Sequence, residues 1–407
     1  MKLIFSFIFL PVIFSIYISI PFIKEFPNFN ENYLFDNNIL AQLSLGTPKV
    51  NVNFLFDFNS RLTYVPDISL GGLYSNNSKT YKFVEDPKVF YQYGSKYFSY
   101  CFAQENFYIQ EKLIENFNFN YLYNSRNNGS LKYGVLGFQA PVFKDEKNFK
   151  YQLKKNGLTD DHIFQIHYLN ENSGEIIIGT KPYNSNYTEV LTSFEYGYKN
   201  IFIKFETIIY NDIEEKNPRI IMNYNLRGII VKNSYFNLIN ETFFFPLVEK
   251  KKCKYEYMNY TENKYIYFVC DEDIDTKNFK EFKIVNTKLN YTFKLTHKDL
   301  FKVYNKKKYC LVFHDLAAPV SWSLGQIFFE KYPMIINEES KIAIYQFKNN
   351  NNYFIIVVII LLIGLLIIII ILSFVIVKLI KNKPRRIRAN ELEDENYDYK
   401  PLNLNLI

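Results

Sequence analysis

Histidine and cysteine are scarce in this chain of 407 residues, and each occurs four times. The four histidines (His162, His167, His297 and His314) are scattered, and no Cys-x-x-Cys pair occurs. Metal sites need several such donors at short, fixed spacings. The sequence therefore predicts no metal site, and nothing in it indicates a cofactor.

The chain has no large excess of one charge, because it contains 48 Lys and Arg residues and 41 Asp and Glu residues. Part of the net charge of +7 lies in one short run, Lys378 to Arg388. A nucleic-acid-binding domain would carry its basic residues as a patch on the fold, so nucleic acid is not a predicted partner. Apolar residues make up 48% of the chain, with 40 Phe and 35 Tyr, and can form a large core.

Two apolar runs indicate membranes. Residues 1–20 begin with Lys2 and continue almost without polar residues, which is typical of a signal peptide, and residues 21–34 then form a lead-in. An uncleaved N-terminal anchor is the alternative, since the run approaches the spanning length. Residues 354–377 contain no charge and, as a helix of about 36 Å, would cross a bilayer. A buried helix of a soluble protein would be shorter and interrupted by polar residues.

Cations follow the second run at once, at Lys378, Lys381, Lys383, Arg385, Arg386 and Arg388. The positive-inside rule then places residues 378–407 in the cytoplasm as a polar tail, and the preceding domain outside the cell or in a lumen. The protein is thus predicted to be a single-pass type I membrane protein of the secretory pathway, at the cell surface or on an endomembrane. In the tail, Tyr399 to Leu402 has the Tyr-x-x-apolar form that vesicle-coat adaptors bind; a disordered tail without this role is the alternative.

The outer part has features of an oxidising compartment. Its four cysteines are candidates for disulfides there. Six Asn-x-Ser/Thr sequons would permit glycans, and they start at Asn76, Asn128, Asn186, Asn240, Asn259 and Asn290.

Short alternating runs rich in Ile, Val, Phe and Tyr fill residues 35–347 and predict a mainly β fold. Several short motifs occur among these runs. These are Gly46-Thr47-Pro48, Asp57-Phe58-Asn59-Ser60 with Tyr64-Val65-Pro66, Tyr93-Gly94, Gly134-Val135-Leu136-Gly137, Gly174 to Gly179, and Trp322-Ser323-Leu324-Gly325. In this order and spacing the domain resembles the pepsin-like aspartic proteases. The alternative is an ectodomain that is rich in β-strands but unrelated to this family.

The resemblance implies a fold of two β lobes, residues 35–192 and 193–347, with a cleft between them. Tyr93 and Gly94 would belong to the flap that covers the cleft. Cys270 and Cys310 match the disulfide of the family's second lobe, whereas Cys101 and Cys253 could pair with each other or stay free. The family uses two Asp-Thr/Ser-Gly loops, one from each lobe, whose carboxyl groups share a proton across a water.

Asp57 matches the first of these loops, but Phe58 and Asn59 replace Thr and Gly there, and Ser60 follows. The second loop departs further, because Asn223 stands where the second Asp belongs. Its remaining residues are Tyr224, Asn225, Leu226 and Arg227. An amide cannot accept and return a proton near neutral pH. Asp212, Glu214 and Glu215 are the nearest other acids, and none is followed by Thr/Ser-Gly.

Three functions follow from these residues. The first is a catalytically inactive domain that binds an extended peptide or a protein in its cleft. The second is an active membrane-bound aspartic endopeptidase with a non-standard site. The third is a structural surface glycoprotein whose cleft is filled by Phe58, Tyr224 and Leu226.

Overall fold

The computed structural model describes residues 16–24, 39–58, 60–85, 90–93, 96–125, 130–139, 148–170, 172–179, 187–196, 201–260, 263–287, 291–318, 322–348 and 352–381. Residues 1–348 form one compact unit and residues 349–407 form a second.

Short strands dominate the first unit, as its alternating apolar runs predict. In its first half they are β1 (Tyr17–Lys24), β2 (Ile39–Leu45), β3 (Val50–Asp57), β4 (Tyr64–Pro66), β5 (Lys82–Glu85), β6 (Phe90–Tyr93), β7 (Lys96–Ile109), β8 (Lys112–Ser125), β9 (Gly134–Gly137), β10 (Ile163–Asn170), β11 (Ser173–Gly179) and β12 (Tyr187–Tyr196).

The second half continues in the same way. Its strands are β13 (Ile201–Lys204), β14 (Thr207–Tyr210), β15 (Ile213–Lys216), β16 (Arg219–Met222), β17 (Ile229–Ile230), β18 (Cys253–Tyr260), β19 (Asn263–Asp271), β20 (Phe282–Asn286), β21 (Tyr291–Leu295), β22 (Phe301–Tyr304), β23 (Lys307–Cys310), β24 (Val312–Asp315), β25 (Trp322–Leu324), β26 (Met334–Asn337) and β27 (Ile342–Lys348).

Helices are short except for the last one. They are α1 (Phe149–Lys155), α2 (Asn233–Ile239), α3 (Phe245–Glu249), α4 (His297–Leu300), α5 (Gln326–Lys331) and α6 (Asn352–Lys381), with a 3₁₀ turn at Ile68–Leu70 and a π-helical stretch at Asn240–Phe244.

An antiparallel sheet connects the two halves of the chain. Its strands pair in the order β1, β11, β10, β26, β27 and β12. Strand β1 continues into the first lobe through β2, and β12 continues into the second lobe through β13. A smaller sheet in the second lobe has the order β15-β14-β20-β21. The predicted mainly β fold with two pepsin-like lobes is confirmed.

Strand β3 leads to the predicted site and illustrates why these runs form strands. Val52, Phe54 and Phe56 are each no more than 1% exposed, whereas Asn51 is exposed and Asn53 is half-buried. This period of two matches the alternation of side chains across a strand. Burying each large apolar side chain contributes about 1.5–3 kcal/mol, so the strand's register, and with it the position of Asp57, is fixed by the core.

Strand β1 overlaps the predicted signal peptide. Its inward residues Ile18, Ile20 and Phe22 lie in the main core, and Tyr17 pairs with Gly179 on β11. Residues 1–15 and 25–38 lie outside the described residues. The signal peptide stays a prediction, and cleavage after residue 20 would cut this strand in two.

The predicted Cys270–Cys310 disulfide is wrong. Cys253 and Cys270 face each other across the antiparallel pair of β18 and β19, and they form a disulfide. Cys310 lies on β23, where it faces Phe301, while Cys270 faces Lys308. Cys310 is therefore a buried free thiol. Cys101 is also buried, and its sulfur lies 3.7 Å from the Tyr81 hydroxyl.

We expect Cys310 to resist alkylation in the folded protein. Burial raises the pKa of its thiol to about 12, so the reactive thiolate is scarce at neutral pH. Peptide-resolved mass spectrometry before and after denaturation should find Cys310 labelled only after unfolding, and Cys253 linked to Cys270. A peptide that links Cys270 to Cys310 would contradict the pairing described here.

The second unit contains the predicted membrane-spanning run. Helix α6 includes residues Ile360–Lys378, which have a mean hydropathy of 3.6 and no buried surface. This segment is long and apolar enough to cross a membrane. The tail beyond residue 381, including Tyr399 to Leu402, lies outside the described residues.

Candidate functional site

The two lobes build corresponding loops in the same way. In the first lobe β3 runs parallel to β9, and Asp57 pairs with Gly137. In the second, β16 runs parallel to β25, and the amide of Asn223, just after β16, donates to the Leu324 carbonyl over 2.9 Å. A matching turn follows in each lobe, from Ser60 N to Asp57 O at 3.4 Å and from Leu226 N to Asn223 O at 3.3 Å. Asn223 therefore occupies the position in the second lobe that Asp57 occupies in the first.

A glycine holds each loop close to its neighbouring strand. A Cβ atom on Gly137 would lie 2.5 Å from the backbone of Arg61 and Leu62. A Cβ atom on Gly325 would lie 2.0 Å from the Gly228 carbonyl oxygen. Only glycine permits such close backbone approach, so both glycines are structural requirements of the two loops.

A direct contact joins the two loops across the site. Asn225 Nδ2 donates to Asp57 Oδ1 over 2.9 Å, and Phe58 N donates to Asn225 Oδ1 over 3.4 Å. Asn223 is turned to its own loop, where its Oδ1 accepts from Asn225 N over 3.2 Å. Asp57, Asn223 and Asn225 are all partly exposed. The amide that contacts Asp57 is thus Asn225, a role that the sequence reasoning did not assign.

A signal for this contact is present in the sequence. The segments Asp57-Phe58-Asn59-Ser60-Arg61 and Asn223-Tyr224-Asn225-Leu226-Arg227 share an aromatic residue, an asparagine and an arginine at matching positions. The shared asparagine stands where the resembling family has glycine. In the second lobe the side chain of this asparagine, Asn225, extends to Asp57 of the opposite loop.

Aromatic rings support the loops where the family has hydroxyl groups. The ring centroids of Phe58 and Tyr224 are 4.7 Å apart, and Tyr224 stacks on Phe329 at 4.2 Å. Tyr224 is 3% exposed and Leu226 is fully buried, and both belong to the main core cluster. These two residues therefore pack beneath the loop, which differs from their expected role as plugs of the cleft.

The other acids near the second loop have different partners. Glu215 accepts from Trp322 Nε1 over 2.9 Å and from Lys232 Nζ over 2.5 Å. It lies on β15 of the smaller sheet, and Asp212 and Glu214 beside it are exposed. None of the three is described in contact with Asp57, so the assignment of Asn223 to the second position is retained.

Two groups of predicted site residues remain, which are the flap and the rest of the first loop. Strands β6 and β7 form the hairpin predicted as the flap, with Tyr93 opposite Lys96, whereas Gly94 and Asn59 lie outside the described residues. Ser60 Oγ donates to the Leu62 carbonyl over 3.1 Å. In the described ranges, no three His, Cys, Asp or Glu residues gather as metal ligands would.

Arg227, the last residue of the second loop, lies mostly inside the fold. It is 8% exposed, and its Nε atom is buried without a hydrogen-bond partner. No ion pair of Arg227 occurs among the described residues. Its carbonyl oxygen accepts from Ile327 N over 3.0 Å, which fixes its backbone to α5.

Comparison with known proteins agrees with this geometry. No curated protein matches the chain. The family model described as eukaryotic aspartyl protease matches residues 38–344, which include both loops and most of both lobes. The chain therefore belongs to the eukaryotic aspartyl protease family.

Proposed function

We propose that this aspartyl protease domain binds an extended peptide or a protein in its cleft without cleaving it, and that α6 anchors it to a membrane. The observation that carries the proposal is the 2.9 Å hydrogen bond between Asp57 Oδ1 and Asn225 Nδ2. It leaves the site with one carboxyl group opposed by a carboxamide.

Hydrolysis of the pepsin type needs a second group that can give up and regain a proton. One carboxylate acts as the base while the other stays protonated and acts as the acid. Asn223 and Asn225 offer donors and acceptors, but no proton that can be exchanged near neutral pH. Asn225 also occupies a lone pair of Asp57 that a catalytic water would use.

Binding a peptide requires hydrogen-bonding groups in the cleft but no proton transfer. The polar site residues are partly exposed, and the glycines that shape both loops are present. A cleft of this kind can hold an extended peptide through main-chain hydrogen bonds, as an added strand does at a sheet edge. Asp57 and the two asparagines then serve as hydrogen-bonding groups for the ligand.

The site's surroundings favour a location on the outer face of a membrane. Helix α6 is apolar enough to span, and cations follow it in the sequence. The Cys253–Cys270 disulfide suggests an oxidising compartment. The sequon residues Asn76 and Asn259 are exposed, as glycan acceptors must be. A vesicle-coat adaptor that binds Tyr399 to Leu402 is the corresponding cytoplasmic partner.

The test is incubation of the detergent-solubilised full chain with a broad peptide library from pH 3 to pH 7. We expect peptides to be retained and none to be cleaved above the level of an Asp57→Ala control. Cleavage that pepstatin inhibits and Asp57→Ala abolishes would contradict the proposal and favour the active endopeptidase. A folded chain that retains no peptide would favour the structural glycoprotein.

A further inference from the structure

Arg227 is a largely buried cation that forms no ion pair among the described residues, and its Nε atom is buried there without a hydrogen-bond partner. The other buried lysines and carboxylates of the described residues each have at least one partner, although Glu338 Oε2 has none. Lys150 contacts Glu338, Lys24 contacts Glu330, Glu105 accepts from Tyr74 and Asn106, and Asp315 accepts from Ala317 and Ala318. Arg227 is as buried as these residues, yet its Nε is unpartnered.

An unpaired buried guanidinium is unfavourable for the protein alone. Arginine stays protonated at any physiological pH, so it cannot lose its charge as a buried lysine can. The buried Nε atom of Arg227 has lost its hydration without gaining a hydrogen bond. Such a group in a native fold indicates a partner that arrives from outside.

Arg227 lies at the end of the second loop. Tyr224 and Leu226 point into the core, and the polar residues Asn223, Asn225 and Arg227 alternate with them. Asn225, two residues before Arg227, already contacts Asp57. The backbone is held by the bond from Gln326 N to Leu226 O at 2.8 Å and by the bond from Ile327 N to Arg227 O.

We propose that Arg227 recognises a carboxylate of the ligand that binds in the cleft. The planar guanidinium suits a carboxylate because it donates two parallel hydrogen bonds to it. The carboxylate comes from an acidic side chain or from a free C-terminus. This inference rests on the proposed binding function and adds the chemical class of the ligand to it.

The experiment compares three sets of fluorescent peptides on the full chain in detergent. One set is neutral with both ends blocked, one contains Glu or Asp with both ends blocked, and one is neutral with a free C-terminus. We expect one of the acidic sets to bind at least 10-fold more tightly than the blocked neutral set, as a charge-assisted hydrogen bond provides. The set that binds more tightly than the blocked neutral set identifies the source of the carboxylate.

The variant Arg227→Met should abolish this preference, so that it binds acidic and neutral peptides with equal affinity. Arg219→Met is the matched control, because Arg219 is exposed on β16, lies 3.8 Å over the Phe202 ring and carries the same charge. It should keep the preference. Thermal unfolding should find Arg227→Met at least as stable as the parent, since an uncompensated buried charge is removed.

The outcomes separate the two proposals. If the parent binds neutral and acidic peptides equally, or if Arg227→Met keeps the acidic preference, the role of Arg227 is refuted while peptide binding stands. If the parent binds none of the three sets, peptide binding itself is refuted, and the role of Arg227 with it.

Discussion

Replacing Asn223 by Asp and Asn225 by Gly together is expected to raise the peptidase activity of the full chain. The two lobes place residues 57 and 223 at corresponding positions after parallel strands. An Asp at 223 would supply the missing carboxyl group. A Gly at 225 would remove the side chain that now contacts Asp57, and would leave room for a water between the two acids.

The gain should be large and dependent on pH. A positioned acid or base contributes about 10²–10⁴-fold to the rate of such reactions. Two carboxyl groups that share one proton give a bell-shaped profile on the acid side of neutrality. The measurement is cleavage of a peptide library from pH 2 to pH 7, with Asp57→Ala added to the double variant as the control.

Two results would contradict this prediction. A parent chain that already cleaves the library through Asp57 would mean that the asparagines do not block catalysis. A double variant that is folded but cleaves no peptide would mean that the asparagines are not the sole cause of inactivity. The aromatic residues Phe58 and Tyr224 would then prevent catalysis as well.

Replacing Lys150 by Met is expected to destabilise the first unit by about 3–5 kcal/mol, because it leaves Glu338 as an unpaired buried charge. The side chains of Lys150 and Glu338 are 0% and 4% exposed and in contact. Burial raises the pKa of Glu338 and lowers that of Lys150. Burial disfavours the charge of each group, whereas the opposite charge of the other group favours it.

The matched control lies on the same helix. Lys154 contacts Glu339, and these side chains are 35% and 50% exposed. An exposed pair contributes about 0–1 kcal/mol, so Lys154→Met should change the free energy of unfolding little. The double variant Lys150→Met with Glu338→Met should recover most of the loss. Denaturant unfolding measures all three, and equal losses for the two single lysine variants would contradict the prediction.

The buried pair also supports the site. Lys150 Nζ lies 5.1 Å from the centroid of the Phe138 ring and 4.6 Å from that of Phe164. Both rings contact Phe58, the residue after Asp57. Peptide binding by Lys150→Met should therefore weaken even where the variant remains folded.

The sequence was sufficient for the fold and for half of the site. Gly137, Gly325 and Asp57 could be recognised because each occupies a position that backbone geometry or a buried strand fixes. Asn223 could be assigned because the second lobe repeats the first. These features depend on local sequence, which a single chain displays directly.

The missed features depend on contacts between distant segments. The direction of the Asn225 side chain is set by Asp57 in the opposite lobe. The Lys150–Glu338 pair joins residues on α1 and just after β26, and no periodic pattern reports it. The resemblance to the family predicts a Cys270–Cys310 disulfide, whereas the register of β18 and β19 brings Cys253 opposite Cys270.

Strand β1 also constrains the order in which the protein can assemble. It pairs with β11, so Tyr17 cannot reach its partner until Gly179 has been synthesised. Contacts between segments this far apart in sequence form slowly, because a long loop must close first. Until then its apolar face, with Ile18, Ile20 and Phe22, is exposed. A nascent chain of this protein should therefore need a chaperone until synthesis has passed β11.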